Sequence, residues 1–291
     1  MEHRLIHPEG PEFSRIISGA WRWHEVSQDS VEKLIQTSLD CGITTFDHAD
    51  IYGDHRNEEI FGNVLRRSPS LRQQMQLVTK GGIKFPSAKR PASWIKHYDT
   101  SRQHITWAAE NSLKMLGTDH IDLLLIHRPD PLLDPEVMAE TFGALKKQGK
   151  VLHFGVSNFT PTQFELLRHY LPFPLVTNQI EVSLSCTAPI WDGTIDVLMK
   201  YKVSPMAWSP LGGGKLVSGD SNNVFGKASK YSATNTQLAL AWLLKHPSKI
   251  FPVIGTTRPE RIRESARALD IRLDVQDWYE MLKIAEGKEV P

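Results

Sequence analysis

Two hydrophobic rhythms alternate along the chain. After Ser27, the residues Val31, Leu34, Ile35 and Leu39 recur at the spacing of one helix face, with Ser27 as N-cap and Gly42 as the residue that ends the helix. The short apolar run Ile43-Thr44-Thr45-Phe46 follows at once and reads as a strand. The pairing then repeats. Helices near 57–67, 101–116, 135–148, 161–170, 193–201 and 234–245 precede strands near 75–79, 121–126, 151–156, 175–178, 203–208 and 250–254, and helices near 259–268 and 275–286 close the chain. At the start, Leu5-Ile6 and Arg15-Ile16-Ile17 flank the turn-rich Pro8-Glu9-Gly10-Pro11 and predict a hairpin leading into Ser18-Gly19-Ala20-Trp21.

Regular strand–helix alternation means parallel strands joined by right-handed crossovers. About eight such strands in sequence predict an α/β fold, a (β/α)8 TIM barrel with an N-terminal β-hairpin at its bottom, rather than an open doubly wound sheet. The Gly-x-Gly-x-x-Gly that an open dinucleotide-binding sheet carries after its first strand is missing. No composition break marks a boundary, so residues 1–291 are expected to form one barrel domain, and that fold accommodates the length. Two stretches exceed simple connections, 81–100 and 209–232, and are expected to shape a site at one barrel end.

Charge changes the picture only by exclusion. A formal net charge of +1 gives no reason to expect a nucleic acid or an anionic membrane as partner. Cys41 and Cys186 are far apart, without metal-ligand spacing, and are expected to be free thiols; no metal is expected. Met1–Pro8 lacks the apolar core of a signal peptide, and no run is long enough for a membrane span, so a cytoplasmic protein is expected.

The informative residues stand where apolar strands stop, the end of a barrel at which active sites are built. Asp47 and Tyr52 follow the second predicted strand, Lys80 the third and His127 the fourth. Ser157-Asn158, Gln179, Trp208-Ser209 and Gly255-Thr256 follow later ones. A free tyrosine titrates near ~10 and is a weak acid at neutral pH. A neighbouring ammonium favours its phenolate, so Lys80, held by Asp47, is expected to lower the pKa of Tyr52. Tyr52 would then protonate an alkoxide forming from a carbonyl, with His127 orienting the substrate oxygen. Taken singly, an Asp or Lys at a strand end is more often an ordinary ion pair, and a loop tyrosine is more often packing. Four such residues at one end of three strands point to a site.

The stretches Phe46-Asp47-His48-Ala49-Asp50-Ile51-Tyr52-Gly53, Thr79-Lys80, Leu125-Ile126-His127-Arg128-Pro129, Gly155-Val156-Ser157-Asn158-Phe159, Asn178-Gln179 and Trp208-Ser209-Pro210-Leu211-Gly212 closely resemble those of the aldo-keto reductase superfamily. The resemblance implies NADPH-dependent reduction of aldehydes or ketones, with Tyr52 as proton donor and Asp47, Lys80 and His127 completing a tetrad. It implies that Ser157, Asn158 and Gln179 bond the nicotinamide carboxamide and that Trp208 stacks on its ring. Gly19, Ala20 and Trp21 would border cofactor and pocket, with Asp47 beside them. Ser209, Leu211 and Gly213 would lie over the pyrophosphate. Gly255, Thr256, Thr257, Arg258, Arg261 and Ser265 would surround the adenosine 2′-phosphate, at a helix start suited to anions. Some relatives carry Lys and Asn where this chain has Gly255 and Ser265.

The expected partner is a small-molecule carbonyl substrate; the sequence does not fix the oligomeric state, with a monomer favoured. Trp21, Trp23, His24, Trp94 and Trp191 are candidate rim residues of a pocket left open above the barrel. Two other readings stand beside the reductase: a cofactor-sensing or regulatory subunit on the same fold, and a lyase using Lys80 as a Schiff-base nucleophile.

Overall fold

The computed structural model describes residues 1–218, 224–226 and 228–290. The predicted 209–232 stretch therefore falls partly outside the described residues. Eight strands close a barrel: β1 (Ile17–Gly19), β2 (Thr45–Asp47), β3 (Gln76–Gly81), β4 (Ile121–Ile126), β5 (Val151–Ser157), β6 (Leu175–Glu181), β7 (Met206–Trp208) and β8 (Phe251–Ile254). Every neighbouring pair is parallel, and β8 pairs with β1 to complete the ring. The longer helices that follow the strands are α1 (Gln28–Asp40), α2 (Asn57–Arg67), α3 (Arg102–Leu116), α4 (Pro135–Lys147), α5 (Pro161–Tyr170), α6 (Thr194–Lys200), α7 (Asn235–Lys245) and α8 (Pro259–Ala266), and α9 (Val275–Glu286) comes after them.

Local chemistry sets the helix starts. Ser27 and Ser101 accept the backbone N–H three residues on, while Thr160 and Thr234 form reciprocal capping boxes with Gln163 and Gln237. Proline occupies the first turn of α4, α5 and α8, where its missing N–H has no partner to lose.

The N-terminal hairpin differs in register from the sequence expectation. Its strands are His3–Leu5 and Glu12–Ser14, and the Arg15–Ile17 run instead delivers the chain into β1. Ile6 and Phe13 of the hairpin are fully buried against Ile17, Val78, Leu123, Leu125, Val176, Met206, Phe251 and Val253. These are the inward residues of the barrel, so the hairpin plugs its floor. Burial of each such side chain stabilises by about 1.5–3 kcal/mol, which closes that end to water and leaves the opposite end for chemistry.

Strand pleating decides which residues reach that open end. Val78 and Lys80 are two apart on β3 and point the same way, and Leu123, Leu125 and the following His127 do so at β4. On β6 the pairing with β5 is irregular between Leu175 and Asn178. That irregularity lets Val176 and Gln179, three apart, both face inward, while Asn178 turns to bond the backbone of Phe159.

α2 and α3 cross at close range. A Cβ built on Gly62 would lie 2.0 Å from the Met115 carbonyl oxygen. Gly62→Ala should therefore lower stability by about 1–3 kcal/mol or more, as overpacking does, measured by denaturant unfolding.

Candidate active site

Lys80 is the hub. Its Nζ donates to Asp47 Oδ2 at 2.8 Å, to the His48 carbonyl at 2.7 Å and to Tyr52 Oη at 3.1 Å. Three acceptors match the three donors of an ammonium, and the side chain has no exposed surface. Asp47 Oδ1 accepts from Gln179 Nε2 at 3.0 Å, so both carboxylate oxygens are held. The ring of His127 meets that of Tyr52 edge-on, with centroids 5.9 Å apart. The structure thus brings together Asp47, Tyr52, Lys80 and His127 as the strand-end pattern anticipated.

The backbone of β2's exit is tied to β3: His48 N–H donates to the Val78 carbonyl and Asp50 N–H to the Lys80 carbonyl. The chain then turns sharply. Gly53 has φ 61°, and a Cβ there would lie 2.1 Å from Asn57 Oδ1, so only glycine fits. The Asn57 side chain reaches back to the carbonyls of Ala20 and Trp21, joining this turn to the β1 exit.

Electrostatics correct one expectation. Burial raises the Tyr52 pKa above its ordinary value; Lys80 pulls it down and Asp47 pushes it up, and the net direction is upward. Lys80 acts in the anticipated sense, but desolvation of a fully buried phenol outweighs it. The phenol therefore keeps its proton at neutral pH. Burial alone would discharge Lys80, yet Asp47 and Tyr52 together raise its pKa above the usual lysine value. His127 is held well below the usual histidine pKa by burial, then by Lys80 and Arg128, and so is neutral. Its Nδ1 is buried without a hydrogen-bond partner among the described residues.

A second network runs along the later strand ends. Ser157 Oγ donates to the Gln179 carbonyl at 2.9 Å, Asn158 Nδ2 donates to Ser157 Oγ at 2.9 Å, and Trp208 Nε1 donates to Asn158 Oδ1 at 2.9 Å. Asn158 (φ 58°) and Ser209 (φ 48°) both adopt the left-handed region, which non-glycine residues seldom occupy. The Trp208 ring is partly exposed, with the Arg128 guanidinium 5.6 Å from its centroid. Past it, Leu211 is half-buried and Gly213 is exposed at φ 68°, with open space where a Cβ would be.

The β8 exit is open too. Gly255, Arg258 and Arg261 are exposed, and Thr256 Oγ1 accepts from the Arg258 N–H at 3.1 Å. Thr257 is half-buried, whereas Ser265 is buried on α8. At the β1 exit, Gly19 packs against Val253 and the Ile254 carbonyl, Ala20 N–H donates to the Asp47 carbonyl at 2.9 Å, and Trp21 is 55% exposed.

The candidate rim divides. Trp94 is 85% exposed, and Trp191 is half exposed with its Nε1 bonded to Glu286. His24 is half-buried. Trp23 belongs to the core instead, stacked on Phe61 and edge-on to Phe46 and His48. The turn Trp23–Glu25 points it inward, a direction that composition does not carry.

Several polar residues escaped the sequence reading. His48, Asp50 and Glu58 are buried behind the tetrad. The Asp50 carboxyl is pushed up to about 8 by burial and by Glu58, with Arg90 pulling the other way. Burial also raises Glu58, which accepts from Thr79 Oγ1 at 2.6 Å. The one available signal was the Asp47–Asp50 spacing within a run otherwise committed to the barrel exit. Among the described residues, no group of three or more His, Cys, Asp or Glu could hold a metal ion, and no helix is long and apolar enough to cross a membrane.

Comparison with known proteins places this geometry. The model of the aldo/keto reductase family matches residues 15–286. The chain is 46% identical over 286 residues to a 6-dehydroglucose reductase of Agrobacterium fabrum, covering 96% of each chain. It is 45% identical over 295 residues to the oxidoreductase YdhF of Escherichia coli, covering 98% of each. A crystal structure of the thermostable aldo-keto reductase Tm1743 with the inhibitor epalrestat superposes with a TM-score of 0.84 at 26% identity, covering 98% of this chain and 100% of that one.

The buried imidazoles make acid the weak side of the fold. Burial, then Lys80, pushes the His48 pKa from 6.5 down to about 3. As pH falls through that window the unfolded chain takes up a proton that the native site refuses, so stability is present above 6.5 and is lost on acidification. His48→Phe, which keeps a ring against Trp23 and Phe61, should lose less thermal stability than the parent between about pH 7.5 and about pH 5, read from melting midpoints.

Proposed function

Because the chain belongs to the aldo/keto reductase family and is an oxidoreductase of that family, we propose that it reduces an aldehyde or ketone to the alcohol with NADPH, Tyr52 giving the proton. The observation that carries this is the Lys80 ammonium bonded at once to Asp47 and to Tyr52 Oη.

The lining of the later strand ends suits the cofactor. Ser157, Asn158 and Gln179 offer convergent polar groups, and the partly exposed Trp208 offers a flat face. Gly213 and Gly255 leave open space beside their backbone, as close approach of phosphate requires. Arg258 and Arg261, exposed at the start of α8, fit a 2′-phosphate, with Thr256 and Thr257 alongside. We assign Trp21, Ser209 and Leu211 to the same surface, with the buried Gly19, Ala20 and Ser265 beneath it. When bound, NADPH supplies the hydride for the carbonyl carbon.

The chain's own residues handle the proton. Tyr52, kept protonated by burial, donates to the carbonyl oxygen as negative charge develops there, and the O–H bond of the phenol breaks as that of the alcohol forms. The resulting phenolate faces the Lys80 ammonium, which Asp47 holds in place. Neutral His127 orients the substrate oxygen without adding a second charge. Lys80, held charged, has no free electron pair for a Schiff base, which supports reduction over a lyase. Two relatives named 6-dehydroglucose reductase, 46% and 37% identical, make a terminal aldehyde on a hexose-sized polyol the first substrate to try.

Tyr52→Phe should keep NADPH affinity, measured by quenching of tryptophan fluorescence, and lose aldehyde-dependent NADPH oxidation by at least about 100-fold. Turnover near that of the parent would remove Tyr52 as the acid. Lys80→Met should be similarly impaired.

Cofactor choice has its own test. Arg258→Ala with Arg261→Ala should raise KM for NADPH about tenfold or more and leave KM for NADH nearly unchanged, because only the former brings the extra phosphate. Equal effects on both would move the 2′-phosphate elsewhere.

A further inference from the structure

The turn that carries Tyr52 is unusual. Gly53, Asp54 and His55 all have positive φ, at 61°, 53° and 62°. Two of them are not glycine, and such backbone persists only where its surroundings over-determine it. On one side the turn is tied to β3, by the Asp50 N–H bond to the Lys80 carbonyl at 3.0 Å. On the other it meets the segment between β3 and α3. Ser87 Oγ donates to Asp54 Oδ1 at 2.6 Å, and the Phe85 ring stacks on His55 with centroids 5.1 Å apart.

Arg90 lies at the centre of this contact. Its Nη1 is 3.6 Å from Asp50 Oδ2, and its guanidinium carbon is 4.4 Å from the centroid of Trp107 on α3. The Asp50 side chain has no exposed surface. Neither of its oxygens has a hydrogen-bond partner among the described residues, and Arg90 is the cation paired with it. Glu58, of the same sign, is close enough to work against the Asp50 charge. With its pKa pushed up to about 8, Asp50 is largely in its acid form at neutral pH, so Arg90 acts on it by close contact while the Trp107 face holds the other side of the guanidinium.

We propose that Arg90 is a positioning residue for the reduction: clamped between Asp50 and the face of Trp107, it fixes the turn that aims the Tyr52 hydroxyl at Lys80. Tyr52 lies two residues beyond Asp50, and its oxygen is 3.1 Å from Lys80 Nζ. That distance is near the long end for an N–H···O bond, so a shift of about 0.5 Å breaks it. The same contact holds the 81–100 stretch against the site, which makes that wall part of the catalytic geometry. The proposal rests on Tyr52 being the acid.

The test is single-turnover NADPH oxidation at saturating aldehyde, with cofactor affinity measured in parallel. Arg90→Met should slow the chemical step about tenfold or more with the NADPH dissociation constant within about twofold of the parent, and Arg90→Lys should recover part of the rate. An Arg90→Met rate within about twofold of the parent overturns the proposal, as does a loss carried wholly by weaker cofactor binding. If Arg90→Met fails to fold, Trp107→Leu, which removes the other face of the clamp, is measured with the same expectations. Failure of both to fold also overturns the proposal, since Arg90 would then be structural. Tyr52→Phe run alongside separates the two readings. A fast Tyr52→Phe defeats the assignment of the acid, whereas a slow Tyr52→Phe with a fast Arg90→Met defeats only the role of Arg90.

Discussion

The buried ion pair between Asp47 and Lys80 is the constraint on which the open end of this barrel depends. Taking an ammonium and a carboxylate out of water costs several kcal/mol for each ion, and close pairing repays this only when the remaining donors and acceptors are also satisfied. Here they are. Lys80 spends its other two protons on the His48 carbonyl and Tyr52, and Asp47 spends its other oxygen on Gln179. Any displacement of β2, β3 or β6 against one another would strand a charge. The pair therefore fixes register and assembles an acid at once.

The same pair explains the division of labour among the titratable groups. Desolvation pushes Tyr52, His127 and Lys80 toward their neutral forms, and of these three only Lys80 escapes, because two partners hold its proton. Tyr52 stays a phenol and His127 stays neutral. A single fixed positive charge beside a protonated donor is what a developing alkoxide requires. The hairpin plug at the far end contributes by keeping the floor of the barrel dry.

Much of this was legible in the sequence because it follows from periodicity. Strand ends are readable where an apolar run stops, and that located Asp47, Lys80 and His127 on three neighbouring strands. What periodicity does not encode was missed. The hairpin pairs through Glu12–Ser14 rather than through Arg15–Ile17, because Ile17 is needed for the barrel interior. Trp23 is core rather than rim, since a tight turn decides its direction. The pKa of Tyr52 moves up rather than down, because burial is a property of the assembled site. Asp50 and Arg90 follow neighbouring strands in different segments, and their approach has no local signature.

The claim that the Asp47–Lys80 pair organises the acid is tested most directly by aldehyde-dependent NADPH oxidation in folded Asp47→Asn. Asparagine keeps the shape and can still accept from Lys80, but it removes the charge that holds the ammonium. The account predicts a rate lower by about 100-fold or more with NADPH still bound. A rate within about threefold of the parent would contradict it, because Tyr52 would then work without a charged partner for Lys80.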